Sequence, residues 1–172
     1  ADYADVVRQE AGGLDCRLLL EPGRYLAGNA GVLITRVVYV KEGETRRFLI
    51  VDAAMNDLLR PALYGAYHGI EPVGDIAGGD VGEYDVVGPV CETGDTFATR
   101  RPLPRVEPGA LLCVHAAGAY GAVMASTYNA RPLVPEVLVK GDAYAVVRRR
   151  VAVEEELALE SFPDWLAAPG AE

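Results

Sequence analysis

The sequence predicts a mainly β chain, a barrel- or sandwich-like sheet domain entered through one α/β unit. Three observations predict it. From Val32 onward, short β-branched or apolar runs recur between Gly, Pro and charged turn residues. The first thirty residues instead alternate helix-like and strand-like stretches. A single α/β unit cannot close a parallel sheet, so it should be the end of a larger α/β domain that leads into the β-rich part.

Each element has a local reason. Tyr3, Val6, Val7 and Ala11 fall at helical spacing over residues 2–11, and Gly12-Gly13 ends that helix. Arg17 to Leu20 is a short apolar strand. It runs into Glu21-Pro22-Gly23-Arg24, where Pro and Gly stop the strand and a short helix starts. Val32–Val40 and Phe48–Val51 are strands on either side of the turn segment Lys41–Glu44. Residues 55–65 look helical. Strands are expected over 84–87, 110–115, 135–140 and 143–149, the last two joined by a tight hairpin at Lys140-Gly141-Asp142. Residues 118–126 are small and helix-compatible. A last helix over 153–160 opens on Glu154, Glu155 and Glu156, which suit the positive end of its dipole. Three regions follow: 1–31 as the α/β remnant, 32–160 as the β-domain, and 161–172 as a frayed tail.

Composition narrows the function. At 172 residues the chain is about one domain's worth. A formal net charge of −9 disfavours nucleic acid, whose binding depends on cations at phosphates. The basic runs Arg46-Arg47, Arg100-Arg101 and Arg148–Arg150 read as solvated strand ends or loops. No apolar run reaches the roughly 20 residues of a membrane span, and no basic segment followed by an apolar stretch marks a signal peptide. The three cysteines match no zinc or CxxC spacing, which suggests a reducing cytosol and no metal. Cys16 and Cys113 adjoin apolar stretches and read as buried small hydrophobes; His68 and His115 read as structural.

Four places carry chemistry. In Gly88-Pro89-Val90-Cys91-Glu92-Thr93-Gly94-Asp95 a thiol and a carboxylate sit side by side in a Gly-rich turn. Flanked by Pro and Glu, Cys91 should be partly exposed and reactive, and Glu92 can pair with an amine. Glu21-Pro22-Gly23-Arg24 lies where a strand ends and a helix begins, a place suited to a phosphate or carboxylate, with Arg24 offering a planar fork. Arg60 and Tyr64, four apart, share a helix face and suit a carboxylate. Tyr120 is a lone large ring among small residues, with room for a flat ligand or a core gap to fill. Each also has a bland reading: a surface turn, an amphipathic helix, a solvated acid, a packed ring.

The segments EPGRYLAGNAGVLITRVVYVKEG, FLIVDAAMNDLLRPALYGAYH, VVGPVCETGD and VHAAGAYGAVMASTYNARPLVPEVLV, in this order, closely resemble the C-terminal part of the diaminopimelate decarboxylases. These belong to the pyridoxal-phosphate-dependent decarboxylases that pair an α/β barrel with a β-domain. The resemblance covers essentially the whole chain. It implies pyridoxal 5'-phosphate as cofactor, and decarboxylation of meso-2,6-diaminopimelate to L-lysine. It implies that residues 1–31 are the last unit of a (β/α)8 barrel. It places Glu21, Pro22, Gly23, Arg24 and Tyr120 at the cofactor, and Arg24, Arg60, Tyr64, Glu92 and Tyr120 at the substrate. It makes Cys91 the proton donor after carbon dioxide leaves. It also implies a cytoplasmic homodimer in which the Cys91–Glu92 segment reaches across to the partner's site. The family's cofactor lysine has no match here: Lys41 and Lys140 both adjoin turn glycines. The barrel would add roughly 200 residues, so the chain as given is expected to be inactive alone. An ornithine- or arginine-type decarboxylase, or a non-catalytic dimerisation module, are the alternatives.

Overall fold

The computed structural model describes residues 2–74 and 80–166. The predicted tail lies outside the described residues from 167 onward. Eight strands dominate. They are β1 (Leu33–Glu42), β2 (Arg47–Val51), β3 (Ile70–Pro72), β4 (Val81–Val87), β5 (Thr96–Pro104), β6 (Leu111–Val114), β7 (Glu136–Lys140) and β8 (Ala143–Arg148). Helices are short apart from α1 (Asp2–Ala11): α2 (Gly23–Ala27), α3 (Arg60–Tyr64) and α4 (Val153–Leu157).

Six strands form one sheet in the order β3-β6-β1-β2-β4-β5, antiparallel except for the parallel β2–β4 pair. Side chains alternate as a half-buried sheet requires. Along β6, Leu112 and Val114 are fully buried while Leu111 and Cys113 are only partly so. The core gathers Val37, Leu49, Val51, Leu58, Val86, Leu112 and Val114. The two end strands, β3 and β5, approach each other, so the sheet curls into a nearly closed barrel. Both carry prolines, Pro72 on β3 and Pro102 and Pro104 on β5, which cannot donate to a further ladder. The mainly β, barrel-like expectation is met. β7 and β8 form the expected hairpin, but as a separate two-stranded sheet.

Several local expectations fail for physical reasons. Residues 17–20 are exposed and form no strand, because no described strand runs beside them to pair with. The helix expected over 55–65 shrinks to α3. Ahead of it Asp57 accepts a hydrogen bond from the Ala54 N–H and turns the chain at 54–57. Over 118–126 only a single 3-10 turn forms, Ala122–Met124. Cys16 is exposed and Cys113 is partly buried. Strands β3 and β5 were not foreseen. In β5, Arg100-Arg101 and two prolines mask the alternation, and Arg100 takes a left-handed backbone (φ 47°).

Candidate active site

Segment 52–60 is the hub that brings the chemistry-bearing stretches together. At its end, Arg60 enters α3 with Pro61 in the first turn, and its side chain is 91% buried. Burying a guanidinium demands compensation. Here two rings supply part of it. The Arg60 guanidinium carbon lies 5.6 Å from the Tyr64 ring centre and 5.7 Å from the Tyr120 ring centre. Arg60, Tyr64 and Tyr120 therefore meet, although Tyr120 is sixty residues downstream. Both rings remain about half exposed, so the cluster faces solvent on one side. Tyr120 adopts a left-handed backbone (φ 57°), uncommon for a ring-bearing residue and costly unless the surroundings hold it.

The 117–121 loop is held from two sides. On one side it is stitched to the stretch after Gly23-Arg24. Ala117 N–H donates to Gly31 O at 2.9 Å, and Gly118 N–H donates to Gly28 O at 3.1 Å. The backbones are so close that a Cβ on Gly118 would stand 2.1 Å from Ala27 O, which only glycine permits. On the other side, Gly121 packs toward Leu58. The short helix α2, carrying Arg24, thus ends beside the loop that carries Tyr120. Glu21, Pro22, Gly23 and Arg24 are all exposed, and nothing lies within 4 Å of where a Gly23 Cβ would be.

A polar network missed by the sequence reading locks the hub. Arg131 donates to Asn56 Oδ1 at 2.9 Å and to Asp52 O at 2.5 Å, and sits 3.5 Å from Asp57 Oδ2. Asn56 also donates to Ser126 O at 3.0 Å. Burial raises the Asp57 carboxyl above its ordinary value, against the opposing pull of the Ala54 N–H and Arg131. The sequence signal for this network is weak: isolated Asn and Asp residues beside apolar ones, with no fixed spacing to Arg131.

Cys91 and Glu92 stand exposed at the tip of the 88–95 turn. Glu92 Oε1 accepts from Gly94 N–H at 3.2 Å. Beneath them, Asp95 is 3% exposed and ties the turn to Met55 of the hub. Burial raises the Asp95 carboxyl, against the N–H groups of Val90 and Met55. The structure therefore joins Arg60, Tyr64 and Tyr120 directly, brings Arg24 alongside through its backbone, and presents Cys91 and Glu92 on a turn anchored to the same segment.

For a flat, phosphate-bearing cofactor these residues fit one side. The open space at Gly23, the exposed Arg24 fork and the Tyr120 ring are the right donor and stacking groups. The covalent lysine of such a site is not among them. Lys41 lies on β1 with its Nζ 6.0 Å from the Phe48 ring centre, and Lys140 ends β7 at the hairpin turn. No group of His, Cys, Asp and Glu that could hold a metal occurs among the described residues, and none of their helices is long and apolar enough to cross a membrane.

Comparison with known proteins identifies the family. Residues 7–118 match the model of the pyridoxal-dependent decarboxylase C-terminal sheet domain. The chain is 49% identical over 164 residues to diaminopimelate decarboxylase of Zymomonas mobilis, covering 95% of this chain and 38% of that protein. It is 53% identical over 164 residues to the Pseudomonas fluorescens diaminopimelate decarboxylase, covering 94% and 38%. The crystal structure of Helicobacter pylori diaminopimelate decarboxylase complexed with L-lysine superposes with a TM-score of 0.80 at 44% identity, covering 92% of this chain and 39% of that one. The chain thus spans about 38% of the length of these curated relatives. Family match, sequence identity and superposition agree: the chain belongs to the pyridoxal-dependent decarboxylases and carries their C-terminal sheet domain.

Proposed function

We propose that this chain is the C-terminal part of an enzyme that converts meso-2,6-diaminopimelate to L-lysine and carbon dioxide with pyridoxal 5'-phosphate. One observation carries the substrate choice: the Arg60 guanidinium, 91% buried and flanked by the rings of Tyr64 and Tyr120. A buried cation flanked by two half-exposed rings suits a carboxylate. Diaminopimelate has a second amino-acid end, so it needs a cation for the remote carboxylate and an anion for the remote amine. Arg60 with Tyr64 supplies the first and Glu92 the second. A substrate without the remote carboxylate would leave Arg60 unpaired in its pocket, which strongly disfavours it.

The cofactor's pyridine ring, when bound, would supply the sink for the electron pair left on the substrate carbon as carbon dioxide departs. The chain's own residues orient and protonate. Glu21, Pro22, Gly23 and Arg24 line the phosphate side, Arg24 also reaches the substrate, and Tyr120 bounds both cofactor and substrate. Cys91 gives its thiol proton to the substrate carbon. Because Cys91 and Glu92 project from an exposed turn, they serve a site shared with a second copy, and the working enzyme is a cytoplasmic homodimer. Residues 1–31 complete the barrel, which brings the cofactor lysine. The chain by itself is inactive.

The test uses the full-length enzyme. Diaminopimelate should be turned over, and ornithine and arginine should not. Cys91→Ala should lower kcat by about 100- to 10,000-fold with a small change in KM. Arg60→Ala should weaken substrate binding by about 3 kcal/mol, on the order of 100-fold. Turnover of ornithine in preference to diaminopimelate would assign the chain to the other branch, and unchanged binding in Arg60→Ala would remove Arg60 from the site.

A further inference from the structure

The 88–95 turn is a clasp closed around one carboxylate. Gly88 N–H donates to Asp95 O at 3.0 Å, and Asp95 N–H donates to Glu92 O at 3.0 Å, so the two ends meet. Inside, Asp95 Oδ2 accepts from Val90 N–H at 2.7 Å and Oδ1 accepts from Met55 N–H at 2.7 Å. Both oxygens are used, one within the clasp and one on the hub. Gly88 has no side chain for a clear reason: its Cβ would stand 2.3 Å from Asp95 Oδ2 and 2.4 Å from Oδ1. What projects from this closed base is Cys91, Glu92 and Thr93, all exposed.

We propose that Asp95 is a positioning residue: its buried carboxylate fixes the height and direction of Cys91 and Glu92 relative to segment 52–60. This rests on reading Cys91 as the proton donor. Cys91 sits one residue beyond Val90, whose N–H Asp95 holds, and Glu92 contributes the carbonyl that the Asp95 N–H holds. Met55 belongs to the hub, so the same carboxylate ties the turn to the body of the sheet domain from which it projects toward the shared site. A short turn without that anchor could adopt many orientations. With it, the tip has one orientation and the thiol one line of approach. In the step concerned, the S–H bond of Cys91 breaks and a C–H bond forms at the substrate carbon that gave up carbon dioxide, using the electron pair left there. Water returns a proton to the thiolate. Proton transfer is steep in distance, and a displacement on the order of 1 Å costs about 100-fold in rate.

The experiment uses full-length enzyme carrying Asp95→Asn. The amide keeps an acceptor for one N–H but turns a donor toward the other, so the clasp loses one bond without losing volume. Expected is a fall in kcat of about 10- to 100-fold with KM within about threefold, together with a larger solvent deuterium isotope effect on kcat. In the cofactor-free enzyme, the iodoacetamide alkylation rate of Cys91, resolved by peptide mass spectrometry, should shift severalfold while that of Cys16 does not. Gly88→Ala, which crowds the same carboxylate without altering its chemistry, should give the same signature and serves if Asp95→Asn does not fold. Wild-type kcat, isotope effect and Cys91 alkylation in both variants would overturn the inference. So would a loss of activity that only tracks a lower Tm, with isotope effect and alkylation unchanged. If Cys91→Ala loses turnover while the Asp95 and Gly88 variants behave as wild type, only the positioning role falls. If Cys91→Ala keeps full turnover, the proton-donor reading falls with it.

Discussion

Arg131 shows how one side chain can hold a site without touching it. Its fork spans Asp52, Asn56 and Asp57, across more than seventy residues of chain. Asp57 is nearly fully buried and its carboxyl titrates above the ordinary value because of that burial. The folded state therefore favours its protonated form. Its contribution to stability is fullest below the ordinary carboxylate range and declines as pH rises through the folded-state value. Arg131 opposes that decline by stabilising the ionised form. Arg131→Ala should therefore cost about 3 kcal/mol near neutral pH, the low end for breaking a buried pair because Arg131 is partly exposed. The cost should shrink as pH falls toward the carboxylate range. Urea denaturation at several pH values checks this; an equal cost throughout would assign Arg131 a packing role only. Residues of this kind do not announce themselves in a sequence. Arg60, Tyr64 and Tyr120 could be picked out, the first two by helical spacing and the last by its small neighbours. Asp57, Asp95 and Arg131 could not, because what distinguishes them is burial among groups brought together only by the sheet.

At the scale of elements, the readable ones were those whose local signals had no competitor. The β7–β8 hairpin follows from two apolar runs around Gly141-Asp142, and Gly141 does take a left-handed backbone (φ 58°). Strand β5 was lost because edge strands tolerate the prolines and arginines that otherwise argue against a strand. The helix α4 was readable from its acidic start, and the structure adds the reason it holds. Glu155 accepts from Ala152 N–H at 2.9 Å and from both terminal nitrogens of Arg149, at 2.7 and 2.5 Å. Those bonds, the Arg149 pair first, lower the Glu155 carboxyl to about 2. A depressed carboxyl contributes stability that is present above its ordinary value and is lost as pH falls toward the folded-state one. The first turn of α4 should thus stay ordered at pH 4 and loosen as pH approaches 2. A carbon-detected titration of the Glu155 carboxyl should show a midpoint near 2; a midpoint near 4.5, the unshifted value, would mean that the Arg149 fork is open in solution.

On the scale of the whole molecule, the sheet was readable as a class and not as a wiring diagram. Recurring β-branched runs pointed to a barrel-like domain, whereas the order β3-β6-β1-β2-β4-β5 depends on pairings no local pattern encodes. The placement of the two lysines is likewise a property of the whole. Lys41 lies beside the Phe48 ring and Lys140 ends β7 at the hairpin turn, so the chain treated with pyridoxal phosphate and borohydride should gain no saturable label at either. Saturable labelling of either would relocate the cofactor site. The wiring also sets a timetable. β1 has two neighbours, β2 a few residues later and β6 at Leu111–Val114. As the polypeptide leaves the ribosome, the first flank of β1 is filled at once. The second must wait, its N–H and C=O groups open to any passing edge, until Val114 has been made. Slowing synthesis through that interval should therefore lengthen the exposure of this edge to pairing with another chain.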